Sequence, residues 1–85
     1  MFYVYVLQSK KDQSLYIGIT ENLEKRLKEH NAGKTKSIKT KTPYLLIYSE
    51  VYPTKTEALK RERQIKKSGK IRRELKTGQY QGPIV

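Results

Sequence analysis

Five side chains in this sequence have the chemistry needed to handle a phosphate ester, namely those of Tyr5, Tyr16, Arg26, His30 and Glu62. A guanidinium can bind a phosphate through two parallel hydrogen bonds, and a carboxylate offers a hard oxygen ligand to Mg²⁺. Phenol and imidazole groups can orient or deprotonate a water molecule. Together these residue types indicate metal-assisted phosphodiester hydrolysis, if the fold brings them to one place.

The size of the chain limits the architecture that can position these groups. Its 85 residues, of which 35% are hydrophobic, suffice for one small domain with a modest core. Cysteine is absent, which excludes disulfides, thiolate metal sites and cysteine nucleophiles. No apolar run approaches the length of a membrane span, and no segment has the pattern of a signal peptide. We therefore expect a cytoplasmic domain that does not bind membranes.

Positive charge is the strongest signal in the composition, because 19 lysines and arginines oppose 8 acidic residues and the formal net charge is +11. A chain this basic attracts phosphate polymers, since binding releases their counterions. The alternative interpretation is a ribosome-associated protein, or simply a well-solvated surface. The candidate contacts to nucleic acid are Lys34, Lys36, Lys39 and Lys41 in one loop, and Arg63, Lys66 and Lys67 in a stretch that has nine basic residues between Lys60 and Lys76.

The pattern of apolar residues predicts a β-hairpin followed by a helix. Residues 2–8 and 14–20 are dense in aromatic and β-branched types, and the polar residues between them form a turn. From residue 22 to 31 leucines recur at helical spacing, and Thr20 or Asn22 can cap this helix.

The second half predicts a third strand and further helices. Residues 44–52 are again rich in strand formers and end before a proline. Residues 54–57 have the Thr-x-x-Glu capping box of a second helix, which runs to about residue 67. Residues 70–77 can form a third, short and basic helix.

The hairpin gives two tyrosines a common face. Side chains alternate along a strand, and a pairing of Ser9 with Ser14 would set the register. Tyr5 then lies opposite Gly18 and diagonal to Tyr16, so that both phenols project from one patch. Gly18 leaves a gap opposite Tyr5, of the kind that a closely approaching ligand uses. The alternative is that the tyrosines are ordinary strand residues and the glycine marks a bulge.

The first predicted helix contributes Arg26 and His30, which lie one turn apart beside the leucines that pack on the sheet. An arginine held there can act as a fixed bidentate clamp on a phosphate. The alternative is an arginine that extends from the edge of the core into water, with an exposed histidine next to it.

The second predicted helix has a carboxylate, Glu62, within the apolar stripe of Ala58, Leu59 and Ile65. A carboxylate directed at a core is costly unless it is paired or bound to a metal ion. A salt bridge to a neighbouring Arg or Lys would satisfy Glu62, and so would a Mg²⁺ ion. Glu57 is the weaker candidate, because the helix cap already uses it.

Taken in order, these residues resemble the GIY-YIG nucleases, especially the small stand-alone bacterial members, and the chain is similar to the nuclease domain of the excision-repair endonuclease C subunit. The resemblance covers residues 2–67, with Tyr3-Val4 standing in place of Gly-Ile before Tyr5. The matching segments are Tyr16-Ile17-Gly18, Asn22-Leu23, Arg26, His30-Asn31 and Glu57-Ala58-Leu59-Lys60-Arg61-Glu62.

The resemblance implies an α/β fold of the α+β kind, with a three-stranded, largely antiparallel sheet flanked by helices in the order β-β-α-β-α(-α). We assign residues 1–77 to the nuclease-like domain. Residues 78–85, with two glycines and a proline, are expected to form a C-terminal tail.

The resemblance also implies hydrolysis of DNA with one divalent ion, Mg²⁺ or Mn²⁺. Glu62 would hold the ion, and Arg26 would neutralise charge that develops on the phosphate. Tyr5 and Tyr16 would orient or deprotonate the attacking water, with Gly18 as a structural residue beside them, and His30 would position a tyrosine. The lysine-rich loop would hold the DNA backbone without reading its sequence.

Three functions stay open from sequence alone. The first is a DNA endonuclease of repair or recombination, acting on branched or damaged DNA. The second is a catalytically weak binding module for DNA or RNA. The third is a nuclease subunit that cuts only when a protein partner delivers the substrate.

Overall fold

The computed structural model describes residues 1–32 and 43–82. Its strands and helices follow in the order β-β-α-β-α-α, which confirms the α+β architecture predicted from the sequence. The elements are β1 (Phe2–Ser9), β2 (Leu15–Thr20), α1 (Leu23–Asn31), β3 (Tyr44–Tyr52), α2 (Lys55–Lys67) and α3 (Gly69–Thr77). The predicted DNA contacts Lys34, Lys36, Lys39 and Lys41 lie outside the described residues.

The strands form an antiparallel sheet in the order β2-β1-β3, with β1 at its centre. Tyr5 pairs with Gly18, and the backbone N–H of Ser9 donates to the carbonyl oxygen of Ser14 at 2.9 Å. The hairpin register is therefore the predicted one, and it places Tyr5 and Tyr16 on the same face of the sheet.

Capping side chains set the ends of the helices. Asn22 and Thr54 each accept a hydrogen bond from the N–H three residues further on, at 3.1 and 3.3 Å. Ser68 ends α2 and also caps α3, while Gly78 ends α3 with a left-handed φ of 75°. Each side-chain cap stabilises the fold by roughly 1 kcal/mol. The three helices therefore begin directly after the capping residues Asn22, Thr54 and Ser68.

The sheet separates two apolar clusters, because neighbouring side chains of a strand point to opposite faces. On one face, buried strand residues pack with α2 and α3; this cluster contains Val4, Val6, Ile17, Ala58, Ile65 and Leu75. On the other face, strand residues pack with α1; this cluster contains Tyr5, Leu7, Tyr16, Leu23, Leu27 and Tyr44. The sheet thus has α1 on one side and α2 with α3 on the other.

A largely buried ion pair that the sequence did not indicate lies between β3 and α2. The guanidinium of Arg61 donates from Nε and Nη2 to the two carboxylate oxygens of Glu50, at 2.9 and 3.0 Å. The hydroxyls of Tyr48 and Tyr52 donate to the same carboxylate. Burial alone would raise the pKa of the Glu50 carboxyl, but the hydrogen bonds from Arg61, Tyr48 and Tyr52 outweigh it and lower this pKa.

Residues beyond α3 also take part in the packing. The hydroxyl of Tyr80 accepts a hydrogen bond from Arg61, and its ring meets that of Tyr48 with 5.3 Å between the centroids. Although it falls in the segment expected to be a tail, Tyr80 packs against the core cluster on the α2 and α3 face.

We expect Arg61→Met to lower the free energy of unfolding by roughly 3 kcal/mol or more, because it leaves the Glu50 carboxylate buried without its cation. Urea unfolding followed by circular dichroism measures the change. Arg63→Met is the matched control, since Arg63 is exposed on the same helix and its loss should change stability by less than about 0.5 kcal/mol. Equal destabilisation by the two substitutions would show that the ion pair does not support the fold.

Candidate active site

Tyr5 stands at the centre of the predicted site. Its side chain is nearly buried, at 2% exposure, and its hydroxyl oxygen accepts a hydrogen bond from Arg26 Nε at 3.2 Å. The same oxygen lies 3.2 Å from His30 Nε2. The ring of Tyr16 stacks against that of Tyr5, with 6.3 Å between the centroids and 25° between the planes. Four of the five predicted chemical groups are therefore together.

Strand register and helical spacing explain this arrangement. Tyr5 and Tyr16 are diagonal neighbours on β1 and β2, and α1 packs over the same face through its leucines. Arg26 and His30 are one helical turn apart, so both reach the same phenol from above. The hydrogen bond to Tyr5 is the main reason that the pKa of Arg26 is raised, and Tyr16 acts in the same sense.

His30 is fully buried, which excludes the alternative of an exposed surface histidine. Its ring meets Tyr16 edge-on at 4.6 Å between centroids, and the rings of Tyr5 and Tyr44 lie at 6.0 and 6.2 Å. Burial, assisted by the charge of Arg26, lowers the pKa of His30 below its ordinary value of 6.5. The imidazole is therefore neutral at about pH 7 and has one proton to place between its two nitrogens.

The side chain of Tyr5 is a neutral phenol at about pH 7. Burial is the largest cause that raises its pKa above the ordinary value of 10.0, and the charges of Tyr16 and Glu62 act in the same direction. The hydrogen bond and charge of Arg26 oppose this shift without cancelling it. Arg26 therefore reduces the cost of a negative charge on Tyr5 but does not by itself create one.

Gly18 makes room for the protein's own tyrosine. A Cβ atom at this position would stand 2.6 Å from the hydroxyl oxygen of Tyr5 and 2.9 Å from its ring carbon Cζ. The predicted gap for a ligand is thus wrong, because the phenol that Arg26 and His30 hold already occupies that space. The absence of a side chain at Gly18 is what allows Tyr5 to lie this close to β2.

Glu62 approaches from the other side of the sheet. It lies on α2 between Ala58 and Ile65, which are both fully buried, and its own side chain is 16% exposed. Lys66 Nζ stands 3.7 Å from its carboxylate, so the simple salt bridge that the sequence allowed is present. The charge of Glu62 nevertheless reaches the Tyr5 phenol across the sheet and contributes to the rise of its pKa, although less than burial does.

The donor set around Glu62 suits a partly hydrated ion. Within residues 1–32 and 43–82 no group of three acidic, histidine or cysteine residues could enclose a metal ion. Zinc in structural sites takes four protein ligands, whereas Mg²⁺ keeps several waters and binds one or two carboxylates together with substrate phosphates. A single, partly buried carboxylate such as that of Glu62 fits the second kind of ion better than the first.

Two neighbours of the site were not predicted from the sequence. The side-chain amide of Asn31 donates to the carbonyl oxygen of Tyr44 at 3.2 Å and accepts from its N–H at 2.6 Å. This pair fastens the end of α1 to the start of β3, and Tyr44, only 2% exposed, closes the pocket of His30. Asn31 was part of the matched pattern, but the sequence did not predict that its side chain bonds to the backbone of Tyr44, thirteen residues away.

The predicted DNA contacts on α2 are only partly near the site. Lys66 lines a groove that opens at Tyr16, whereas Arg63 and Lys67 are exposed elsewhere on the helix. The other cations of the groove, which were not predicted from the sequence, are Arg72, Arg73 and Lys76 of α3. A signal for them existed, because Ile71 and Leu75 form an apolar stripe that turns these three residues outward.

The GIY-YIG catalytic domain matches residues 1–74, which is most of the chain. The chain belongs to the GIY-YIG nuclease family. The catalytic domain of this family indicates an endonuclease, and its substrate is nucleic acid.

Individual relatives agree with this assignment. A UPF0213 protein of Staphylococcus haemolyticus is 49% identical over 65 residues, which cover 75% of this chain and 78% of that protein. A UPF0213 protein of Clostridium perfringens is 50% identical over 68 residues, which cover 79% and 72% of the two chains. The solution NMR structure of a UPF0213 protein from Bacillus halodurans is similar over 98% of this chain and 89% of that one, with 33% identity and a TM-score of 0.56.

The described part of the chain has no helix long and apolar enough to cross a membrane. Its longest helix, α2, has 13 residues and is dominated by charged side chains.

We expect Gly18→Ala to destabilise the protein by about 1–3 kcal/mol, because the new methyl group must push aside a phenol that is held on two sides. Thermal or urea unfolding measures the change. Gly69→Ala is the control for stability, since nothing lies within 4 Å of a Cβ at that position. If the two alanine variants unfold alike, Tyr5 does not need the space above Gly18.

The chain has one histidine, so the titration of His30 can be followed without overlap by NMR. We expect its midpoint below 6.5, because burial disfavours the imidazolium. As the pH falls from about 7 through 6.5, His30 becomes protonated in the unfolded chain but stays neutral in the native protein. Stability therefore decreases on acidification, by up to ~1.4 kcal/mol for each pH unit that separates the two pKa values. A midpoint at or above 6.5 would contradict a buried neutral ring.

Proposed function

We propose that this protein is a divalent-metal-dependent endonuclease that hydrolyses phosphodiester bonds of DNA. The observation that carries the proposal is the Tyr5 hydroxyl held between Arg26 and His30, both at 3.2 Å, with Tyr16 stacked beside it. The net charge of +11 supports a polyanionic substrate.

Arg26 is the residue that would bind the scissile phosphate. Its Nε is used by Tyr5, while its side chain is 35% exposed, so the guanidinium extends from the buried phenol to the surface. A planar group of this kind can donate to two phosphate oxygens and stays charged at every relevant pH. It would place the phosphate beside Tyr5 and reduce the cost of the negative charge that develops during attack.

Tyr5 and His30 together would accept the proton of the attacking water. A neutral phenol can take that proton only if it passes on its own, and the neutral imidazole of His30 is within hydrogen-bond reach. In the proposed step, water loses a proton to Tyr5 while Tyr5 gives its proton to His30 Nε2, and the hydroxide oxygen forms a bond to phosphorus as the bond to the leaving oxygen breaks. Tyr16 would orient the water from the adjacent strand.

Glu62 would hold the ion, Mg²⁺ or Mn²⁺, whose chemistry when bound is to polarise a phosphoryl oxygen and stabilise the leaving oxygen. Its partial burial and its electrostatic effect on Tyr5 support this assignment. Family members are in general dependent on divalent metals, which supports it further. Roles in DNA repair or recombination, a preference for branched or damaged DNA and a cytoplasmic location stay predictions.

The test is cleavage of plasmid, nicked and branched DNA with Mg²⁺ or Mn²⁺. We expect Tyr5→Phe, Tyr16→Phe and Glu62→Gln each to reduce the cleavage rate by about 10²-fold or more, with DNA binding retained. The matched controls are Tyr3→Phe, on the same strand as Tyr5, and Glu57→Gln, exposed on the same helix as Glu62. They should cut at the wild-type rate.

Other outcomes would favour the alternative functions. Salt-sensitive DNA binding without cleavage under either ion would favour the binding module. Cleavage of RNA but not DNA would change the substrate class. Cleavage that occurs only when a second protein is added would favour the partner-dependent subunit.

A further inference from the structure

The groove beside Tyr16 has one wall formed by a strand and one wall rich in cationic side chains. It has a volume of about 480 Å³ and lies between β2 and the junction of α2 with α3. Leu15, Tyr16 and Ile17 form the strand side. Four cationic side chains, those of Lys66, Arg72, Arg73 and Lys76, stand on the helical side. None of the described residues that line it is acidic.

Only one of the four cations on the helical wall, Lys66, has an ion-pair partner among the described residues, which is Glu62. Among the described residues, no carboxylate lies within ion-pair distance of Arg72, Arg73 or Lys76. Arg72 and Arg73 are exposed and follow each other on α3, so both guanidinium groups can turn toward the groove. Cations that cluster without counter-charges keep a positive potential that only an external anion can offset.

The groove borders the candidate active site at one residue, Tyr16. Tyr16 lines the groove and also stacks on Tyr5, whose hydroxyl contacts Arg26 and His30. Lys66 lines the groove as well and stands 3.7 Å from Glu62. An anion in the groove would therefore lie beside Tyr16, on the edge strand β2.

We propose that this groove binds the DNA backbone next to the bond that is cut, with Arg72 and Arg73 as its principal phosphate ligands. The inference rests on the proposed function, because it takes DNA as the substrate. A nucleic-acid strand is the polyanion whose charges repeat at short intervals, so a phosphate at Arg26 brings the next phosphates into the groove. The contacts are to the backbone and do not depend on base sequence.

The main DNA contact proposed from the structure is therefore on α3, whereas the sequence predicted it on α2. Arg63, Lys66 and Lys67 were predicted from the run of charge, but only Lys66 of these lines the groove. Residues of one helix point in different directions, and Arg63 and Lys67 leave α2 on faces that do not adjoin Tyr16. Arg72 and Arg73 line the groove because α3, which begins at Gly69 directly after its Ser68 cap, forms part of the wall opposite the strand β2.

The first experiment measures binding of a fluorescent DNA duplex by anisotropy over a range of salt concentrations, without a divalent ion. Arg72→Gln with Arg73→Gln should weaken binding about tenfold or more and reduce the salt slope by about 2, one for each phosphate that the variant no longer neutralises. The control is Lys55→Gln with Lys60→Gln, which removes the same charge from exposed positions of α2 outside the groove. Circular dichroism confirms that both variants are folded.

The second experiment locates the phosphates that the groove binds. Duplexes with one uncharged methylphosphonate at successive positions are compared for the wild type and the Arg72→Gln/Arg73→Gln variant. We expect one or two positions, all on one side of the cut bond, at which neutralisation weakens the wild type but not the variant. Equal weakening of both proteins at every position would overturn the proposal.

Cleavage assays keep the two proposals apart. If the wild type cuts DNA and the groove variant cuts it with an unchanged KM, the groove inference fails while the nuclease proposal stands. If the variant raises KM about tenfold and leaves kcat within about twofold, the groove is a site of ground-state binding as proposed. If the wild type does not cut, but the variant alone is insensitive to methylphosphonates, the nuclease proposal fails and the backbone contact stands.

Discussion

The close approach of Tyr5 to Gly18 is the constraint on which the site depends. The phenol ring lies over the strand partner that has no side chain, and in this position its hydroxyl contacts both Arg26 and His30. A side chain at residue 18 would take the place of the ring. The Tyr5 hydroxyl also helps to position α1 over the sheet, because Arg26 and His30, one helical turn apart on α1, both contact it.

The second organising contact is the ion pair between Arg61 and Glu50. This ion pair joins α2 to β3. Because consecutive residues of a helix point about 100° apart, it also affects the direction of the next residue, Glu62. When Arg61 faces β3, Glu62 is turned away from that edge, and its charge acts on Tyr5. The tyrosines that donate to Glu50 keep its carboxylate charged within a largely apolar layer. A buried charge pair therefore sets the orientation of the proposed metal ligand.

Local patterns in the sequence predicted most of the architecture. Alternating β-branched and aromatic residues marked the strands, and Asn22 and Thr54 marked the starts of two helices, because caps and periodicity act over only a few residues. The hairpin register followed from a five-residue separation between Ser9 and Ser14. Contacts between distant segments were not visible in this way. Neither the Glu50 to Arg61 pair nor the Asn31 to Tyr44 clamp has a local signature.

The sequence by itself determined the identities of the chemical groups, the order of the elements and the shared face of Tyr5 and Tyr16. It could not determine which side chain fills the space above Gly18. Nor could it determine which of the nine basic residues between Lys60 and Lys76, on α2 and α3, lie near Tyr16. Side-chain direction along a helix depends on how that helix is rotated against its neighbours, and this rotation results from packing over the whole domain. Tertiary structure alone therefore decided that His30 is buried against Tyr5 and that Arg72 and Arg73 stand beside Tyr16.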